Sequence, residues 1–587
     1  MRHHILYAVS FLALCSVTIS QSSSLLQKQE LELAEDLTDS TKVSIENIKA
    51  RIQRKYSPVT PPATTLSVQT STDLSYNERK FVKHRMEHVQ NTLRKKFTIA
   101  QPLRIAFCCS GGDCEAMIGT LGIMQAAENH GILDATLYLA GQSGSTWLIA
   151  PWAHMYLHNN IPQQRKQSFQ TIQKSLGTAL NNPLMTIHGL SSPPDITDDL
   201  KDDFMANIVK RFGYNQPLTI IDIYGQLIGN FALKPANMSR LGNVWSSITE
   251  KITKGKIPLP LCLSVYEINQ SDSSNQQYGC FETNPCDAGS ADMGYIPIQY
   301  LGSKFTNGKI RNKGLCPEYP LTFFLGIYGS APALHFSEMY NNIIDSTDKN
   351  PHVTVLGQRI KIPMRSWIQK ITDFDTQIDG NDHSDSPKAF AHFNNFSHGV
   401  SSSVLSQEPT FGLTDASNYM HFPLPLLFDR PDRKIDLIFM YDATAGDAAY
   451  FQEATQYFAS KNIKAPDFSN VTTKELQSKS MTLFNDPQAD DYDASIPTFI
   501  YLPTLTIDLS QEPYTRFNFE YQAKDIDRLV ANTKDSFEQN IEKIVSTLQS
   551  VAEKRYPEIT TKLKKYKPFV KKYRKKSTKK SSAAIAS

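Results

Sequence analysis

The chain has 587 residues, of which 40% are hydrophobic and 10% aromatic, enough to bury the core of one large domain or of two or three smaller ones. Its Gly and Pro content is too low for a fibrous or disordered chain, and its mean hydropathy of −0.36 excludes a polytopic membrane protein. The formal net charge is +3, but residues 562–580 contribute eleven Lys or Arg and no acidic residue, so the remainder of the chain carries −8.

Residues 1–20 have the pattern of a secretory signal peptide. A basic start precedes an apolar run from Ile5 to Ile19, with small residues near its end. A membrane anchor is the alternative, but the run is shorter than the ~20 residues that a spanning helix needs. A lipoprotein site at Cys15 is disfavoured by the bulky Leu14 before it. We therefore expect a secreted, periplasmic or otherwise extracytoplasmic protein.

The rest of the chain divides into three parts. In residues 21–73, apolar residues at rough helical spacing predict one or two helices, followed by a Thr- and Pro-rich linker over 60–72. The main domain spans 74–555 and starts with a charged helix over 76–96. Residues 556–587 form a basic tail.

Within the main domain, short apolar runs alternate with helical patterns, which is typical of an α/β fold. Buried strands are predicted over 103–107, 137–139 and 435–440, and a helix over 116–129. The glycine-rich segments that carry the chemistry follow the first two of these strands.

The segment Gly141-Gln142-Ser143-Gly144-Ser145 fits the nucleophile elbow, G-x-S-x-G. In this elbow a serine lies on a tight strand-to-helix turn, and the glycines relieve crowding of the strained backbone. The second strand precedes the segment, and an apolar helical run begins at Trp147. A structural Gly-Ser turn is the alternative, but this context predicts Ser143 to be a nucleophile.

The segment Ser110-Gly111-Gly112 also lies between a strand and a helix. Backbone N–H groups at such a turn point outward, and the helix N-terminus adds positive potential, which suits an oxyanion. A phosphate-binding loop is the alternative, but neither G-x-G-x-x-G nor G-x-x-x-x-G-K-[ST] occurs there. The predicted donors are the N–H groups of Gly111, Gly112, Asp113 and Gly144.

Residues 102–154 resemble the catalytic core of cytosolic phospholipase A2 and of the fungal phospholipases B. The family loop S-G-G-G-[YF]-R-A-M corresponds to residues 110–117, and the family elbow G-L-S-G-S-T-W corresponds to 141–147. The resemblance runs from about residue 74 to 442 and includes further segments at 131–134, 301–305, 326–331 and 414–417. It implies a central mixed sheet flanked by helices, patatin-like, with a nucleophile elbow.

The resemblance also implies a Ser143–Asp415 dyad without histidine, acting through an acyl-serine on phospholipid or lysophospholipid. It implies no cofactor, and no calcium-binding docking domain or calcium loop is recognisable. A Ser-Asp-His triad is the alternative. His421 is the first histidine after Asp415 and none follows it, and a gap of six residues makes it a poor partner.

Two residues depart from the family pattern. Asp113 replaces the third glycine of the loop, where a glycine-only backbone conformation would exclude it as an oxyanion donor. Glu115 replaces an arginine that in the family helps to hold the substrate phosphate, and a carboxylate would repel that phosphate. The leading prediction is therefore a lipid acyl hydrolase, and the alternative is a catalytically impaired lipid-binding or host-interacting protein.

The remaining predictions concern cysteines and partners. Seven cysteines follow the signal peptide, and Cys280 and Cys286 are close enough in sequence to form a disulfide. The basic tail at 562–580 predicts peripheral contact with an anionic membrane surface, with a solvated tail as the alternative. No nucleic acid is expected, because no aromatic-rich basic face accompanies the tail.

Overall fold

The computed structural model describes residues 50, 53–158, 165–181, 210–233 (except 212, 215, 217 and 218), 243–268, 277–333, 352–355, 358–361, 390–504 (except 445), 513–514 and 518–559. The predicted signal peptide, and the basic stretch at 562–580, lie outside these residues.

The helices are, in chain order, α1 Tyr76–Lys96, α2 Asp113–His130, α3 Thr146–His158, α4 Arg165–Ala179, α5 Ile220–Ala232, α6 Thr249–Ile252, α7 Leu321–Tyr328, α8 Pro425–Phe428, α9 Ala448–Ser460, α10 Thr473–Ser478, α11 Ala523–Gln539 and α12 Ile541–Arg555. The strands are β1 Ile105–Cys109, β2 Thr136–Gln142, β3 Leu259–Glu267, β4 Tyr278–Thr283, β5 Asp287–Ser290, β6 Gly294–Pro297, β7 Phe305–Thr306, β8 Lys309–Ile310, β9 His352–Val355, β10 Gln358–Lys361, β11 Ala391–Asn394, β12 Thr410–Asp415, β13 Leu437–Asp442, β14 Thr482–Phe484 and β15 Thr498–Pro503.

Eleven of these strands form one mixed sheet. Its main order is β14-β15-β13-β1-β2-β3-β4-β5-β6, and the run from β15 to β3 is parallel. The strands β1, β2, β13 and β15 are buried along their whole length, as expected for parallel strands covered on both faces. Phe107 and Phe439 stack across β1 and β13 with ring centroids 4.6 Å apart. The predicted α/β class, with a central mixed sheet flanked by helices, is confirmed.

Along one edge, strand β3 pairs first with β2 and then with β12. Its first half pairs in parallel with β2, whose last residue, Gln142, lies opposite Leu263. Its second half pairs antiparallel with β12, whose last residue, Asp415, lies opposite Ser264. The end of β12 therefore meets the end of β2 against consecutive residues of β3.

The segment before α1 is attached to the body of the domain. Ser67 and Gln69, in the predicted linker, form isolated bridges with Lys309 and Tyr295. The Ser75 hydroxyl caps α1 by accepting the Glu78 N–H at 3.2 Å, which satisfies one N–H at the helix start. The predicted helix over 76–96 is present with those bounds.

A buried ion-pair cluster holds α1 against the segment that precedes β13. Arg433 bonds Glu78 of α1 (Nε to Oε1, 2.9 Å) and Glu282 of β4 (Nη2 to Oε1, 2.6 Å). Arg430 bonds Glu78 at 3.3 Å and Asp287 at 3.2 Å. The two arginines hold the pKa of Glu78 below its ordinary value despite its burial. The cluster therefore joins sequence-distant parts of the domain.

We expect Arg433→Met to lower the free energy of unfolding by about 3–5 kcal/mol, because Glu78 and Glu282 would stay buried without their main cation. Denaturant unfolding followed by circular dichroism measures the loss. The matched control is Lys434→Met, which removes a positive charge from the neighbouring exposed residue and should change stability by less than about 0.5 kcal/mol. Equal effects of the two substitutions would contradict a structural role for the cluster.

The seven cysteines after the predicted signal peptide are free thiols in the structure. The sequence left open whether Cys280 and Cys286 form a disulfide; in the structure Cys280 lies in β4, Cys286 precedes β5, and the two are not bonded. Among the helices that the structure describes, none has both the length and the apolar character needed to cross a membrane.

Candidate active site

The predicted nucleophile lies at a strained turn between β2 and α3. Ser143 follows the last residue of β2, starts the single 3₁₀ turn Ser143–Ser145 and has a φ of +47°. A non-glycine residue rarely adopts this left-handed conformation, and the nucleophile elbow is one place where it occurs. The Thr146 hydroxyl donates to the Ser143 carbonyl at 2.5 Å and fixes the turn. The predicted elbow geometry is therefore present.

Asp415 is the hydrogen-bond partner of Ser143. The Ser143 hydroxyl donates to Asp415 Oδ2 at 3.1 Å, although 272 residues separate the two in sequence. The contact follows from the sheet, because Ser143 continues β2 and Asp415 ends β12, which take neighbouring positions along β3. Both side chains are buried. The fold thus brings together the two residues predicted to form a dyad.

Two further hydrogen bonds orient the Asp415 carboxylate, and a third holds its backbone. Its Oδ1 accepts the Ser417 N–H at 2.9 Å, its Oδ2 accepts the Ala331 N–H at 3.4 Å, and its own N–H donates to the Ser330 hydroxyl at 3.0 Å. Burial raises the pKa of Asp415 to about 7, with a smaller contribution from the nearby Asp113 charge, while hydrogen bonds from Ser417 and Ser143 oppose the rise. A carboxylate of this kind accepts a proton efficiently near neutral pH.

The loop after β1 lies directly beside the nucleophile. A Cβ atom on Gly111 would come within 3.1 Å of Ser143 Cβ and 3.7 Å of its Oγ, so a larger residue would crowd the serine. In the described part of the chain, the N–H groups of Gly111 and Gly112 donate to no protein acceptor. Their location suits the role of oxyanion donors.

Hydroxyl groups fix this loop to the elbow and to the residue that follows β13. The Ser145 hydroxyl donates to the Ser110 carbonyl, and Thr120 donates to Ser145 Oγ at 3.2 Å. The Ser110 hydroxyl accepts the Ala443 N–H at 2.9 Å. The loop is therefore held on both sides independently of any substrate.

The backbones of Asp113 and Gly144 are in close contact where the loop meets the elbow. A Cβ on Gly144 would lie 1.7 Å from the Asp113 carbonyl oxygen, so only glycine fits there. Asp113 itself has a φ of +46°, in the left-handed region that glycine adopts freely and that aspartate tolerates better than most residues. The replacement of the family glycine by Asp113 is thus compatible with the backbone, at a conformational cost of about 1–2 kcal/mol.

Glu115 lies in the first turn of α2, where its charge also suits the helix dipole. Both Glu115 and Asp113 are buried and lie near aromatic hydroxyls. Burial is the main cause of the raised pKa of Tyr521 and of Tyr224. The charge of Glu115 raises the pKa of Tyr521 further, and the charge of Asp113 raises that of Tyr224. The two acidic side chains therefore sit inside the domain, close to the predicted site and among tyrosines.

His421 pairs with a different carboxylate from the one that a triad would need. Its Nε2 lies 2.8 Å from Asp442 Oδ1, and its ring stacks on Tyr450 with centroids 3.5 Å apart. Asp442 also accepts hydrogen bonds from Tyr501 and Thr444. The geometry therefore disfavours the triad alternative.

Three residues of the site were not predicted from the sequence. Ser330 and Ser145 lie in two of the segments that resemble the family, but no role was predicted for their hydroxyls, which position Asp415 and the loop. Gln142 donates from Nε2 to the Met420 carbonyl at 2.6 Å and so ties the elbow to the segment after Asp415. Gln142 could have been noticed from the sequence, since the family elbow has leucine at this position. Among the described residues no cluster of three or more His, Cys, Asp or Glu could hold a metal ion.

Comparison with known proteins points to one group of enzymes. Residues 105–551 match the family model described as the lysophospholipase catalytic domain. Lysophospholipase 1 of Saccharomyces cerevisiae is 25% identical over 441 residues, which cover 68% of this chain and 61% of the yeast protein. The chain therefore spans less than two thirds of the length of this relative.

Solved structures of human GIVD cytosolic phospholipase A2 share the fold. One superposes with a TM-score of 0.62 and 19% identity, covering 83% of this chain and 66% of the human one. The same enzyme with methyl gamma-linolenyl fluorophosphonate gives a TM-score of 0.58 and 19% identity, covering 84% of this chain and 67% of the human one. The resemblance predicted from the sequence motifs is confirmed.

Proposed function

Since the chain belongs to the family described as the lysophospholipase catalytic domain, we propose that it is a lipid acyl hydrolase of the phospholipase A2, lysophospholipase or phospholipase B type. Ser143 is its nucleophile and Asp415 its proton acceptor. The observation that carries this proposal is the 3.1 Å hydrogen bond from the Ser143 hydroxyl to Asp415 Oδ2 at a nucleophile elbow.

The proposed reaction has two halves. Asp415 takes the Ser143 hydroxyl proton while Oγ attacks the ester carbonyl carbon, and the Gly111 and Gly112 N–H groups stabilise the negative oxygen that forms. As the intermediate collapses, the bond to the alcohol oxygen breaks and Asp415 gives its proton to that oxygen. Asp415 then deprotonates a water that attacks the acyl-serine, which releases the fatty acid and restores Ser143.

The electrostatics of the site support this assignment. Burial raises the pKa of Asp415 to about 7, which makes its carboxylate far more basic than an exposed one. Its basicity therefore suits removal of a hydroxyl proton without histidine.

One observation favours a second candidate function, an impaired lipid-binding protein on the same scaffold. Asp113 occupies a left-handed position beside the nucleophile and places a negative charge close enough to raise the pKa of Asp415. The same charge would oppose an oxyanion. Retained hydrolysis would exclude this alternative, whereas lipid binding without hydrolysis would support it.

The test is covalent labelling with a fluorophosphonate, a class of inhibitor present in a solved structure of human GIVD cytosolic phospholipase A2. Peptide mapping of the labelled protein should place the adduct on Ser143. Release of fatty acid from lysophosphatidylcholine and phosphatidylcholine is measured on the same preparation. An adduct on another serine, or hydrolysis without labelling of Ser143, would overturn the proposal.

Extracytoplasmic location and peripheral membrane contact through residues 562–580 also belong to the proposal. We expect deletion of 562–587 to weaken binding to vesicles that contain phosphatidylserine while sparing hydrolysis of a soluble ester. Each basic residue near an anionic surface contributes on the order of 1 kcal/mol, and eleven occur here. Sedimentation with vesicles at low and high salt measures the effect. Unchanged binding at low salt would contradict a role of the tail in membrane contact.

A further inference from the structure

Gln142, directly before the nucleophile, carries a buried hydrogen-bond acceptor that the protein does not use. Its side chain is fully buried, and Nε2 donates to the Met420 carbonyl at 2.6 Å. Its Oε1 has no hydrogen-bond partner in the part of the chain that the structure describes. Turning the amide over would set Oε1 against the Met420 carbonyl oxygen, so this orientation is the favoured one. Buried acceptors are normally satisfied, and one left unused calls for an explanation.

The amide of Gln142 lies in the immediate surroundings of the reacting atom. A Cβ atom added to Gly111 would lie 3.5 Å from Gln142 Nε2 and 3.7 Å from Ser143 Oγ. The Gln142 amide and the nucleophilic oxygen thus both lie beside the same glycine of the loop expected to hold the oxyanion. A substrate whose ester reaches Ser143 Oγ brings its neighbouring atoms close to this amide.

We propose that Gln142 Oε1 accepts a hydrogen bond from a substrate hydroxyl on the carbon next to the esterified carbon, and that Gln142 thereby selects monoacyl lipids. This inference rests on the proposed function. Such a hydroxyl lies four bonds from the attacked carbonyl carbon. A monoacyl glycerolipid has this donor, whereas a diacyl lipid presents an ester oxygen at the same place, which is an acceptor.

The selection follows from the unequal cost of making and losing a buried hydrogen bond. A substrate with the hydroxyl satisfies Oε1, whereas a substrate without it leaves the oxygen buried and unpaired in the complex. A site built around a substrate hydroxyl therefore discriminates strongly against an analogue that lacks it. An ester oxygen facing Oε1 adds repulsion between two acceptors, so the diacyl lipid is disfavoured further.

The experiment crosses one substitution in the protein with one change in the substrate. Palmitoyl lysophosphatidylcholine and its deoxy analogue, which lacks the glycerol hydroxyl, are assayed with the wild type and with Gln142→Leu. We expect removal of the hydroxyl to lower kcat/KM of the wild type about 10- to 100-fold and that of Gln142→Leu by less than about threefold. Gln142→Met, which keeps the side-chain length, serves as a second variant.

The matched control is Gln226→Leu. Gln226 in α5 is also a buried glutamine with an unpartnered Oε1 within the described residues, but its Nε2 donates to Thr322 of α7 and not to the segment after Asp415. This substitution should leave the preference for the hydroxyl unchanged.

The outcomes separate this inference from the function on which it rests. Equal kcat/KM of the wild type for both substrates would overturn the inference, even if neither variant folds. An equal loss on both substrates in Gln142→Leu would also overturn it and assign Gln142 to holding the elbow through Met420. Failure of the wild type to hydrolyse any ester, with no fluorophosphonate adduct on Ser143, would instead overturn the proposed function.

Discussion

Ser143→Ala should abolish fluorophosphonate labelling and lower ester hydrolysis by about 10⁴-fold or more, while the protein stays folded. The reason is that the hydroxyl both attacks the ester and carries the acyl group, and no other side chain takes its place. Alanine tolerates the left-handed φ of +47° about as well as serine does, so the turn between β2 and α3 is kept.

The measurement pairs kcat/KM on lysophosphatidylcholine with thermal unfolding of the same samples. The matched control is Ser303→Ala, which removes another buried serine hydroxyl, one bonded to Cys316. That variant should keep most of the wild-type activity. Full activity of Ser143→Ala would contradict the assignment of the nucleophile, and equal losses in both variants would trace the effect to folding.

Asp415→Asn should reduce hydrolysis nearly as much as Ser143→Ala, because the two members of a dyad act as one unit. An amide accepts the Ser143 proton far less readily than a carboxylate, although it keeps the shape of the side chain. The expected loss in kcat is about 10⁴-fold. His421→Gln is the control, since His421 bonds Asp442 and lies outside the proposed dyad. A large loss in His421→Gln with retained activity in Asp415→Asn would favour the triad.

The pH dependence of Asp415→Asn follows from the raised pKa of the aspartate. In the folded protein the pKa of Asp415 is about 7, against an ordinary value of 3.8. Between these values the folded state binds a proton that the unfolded chain has lost, so the wild type loses stability as the pH rises from about 4 to about 7. Asparagine has no such penalty.

The stability of Asp415→Asn relative to the wild type should therefore increase over that interval and stay constant above it. Urea unfolding at a series of pH values measures this difference. In parallel, kcat/KM of the wild type should rise with pH through a midpoint near 7, as Asp415 loses its proton. A flat stability difference together with an acid limb near pH 4 would show that Asp415 is an ordinary, solvated carboxylate.

Much of the architecture near the elbow was predictable from local patterns. The apolar runs at 103–107, 137–139 and 435–440 correspond to β1, β2 and β13, each displaced or extended by a few residues. The helix predicted from 116 starts at Asp113, because the glycine-rich loop passes directly into the first helical turn. The change of pairing partner along β3, from β2 to β12, could not be predicted from local patterns. It depends on β12, which lies about 150 residues further along the chain.

The sequence alone determined the α/β class, the elbow at Ser143 and the loop at 110–112, because strand burial, tight turns and glycine spacing are encoded over a few adjacent residues. The resemblance of motifs supplied Asp415 as a candidate. Only the tertiary structure decided that Asp415 meets Ser143, that His421 turns to Asp442, and that Gln142 keeps an unused acceptor beside the nucleophile. These features depend on groups that come together only in the folded chain. Burial, which raises the pKa of Asp415, likewise exists only after the β-sheet has assembled.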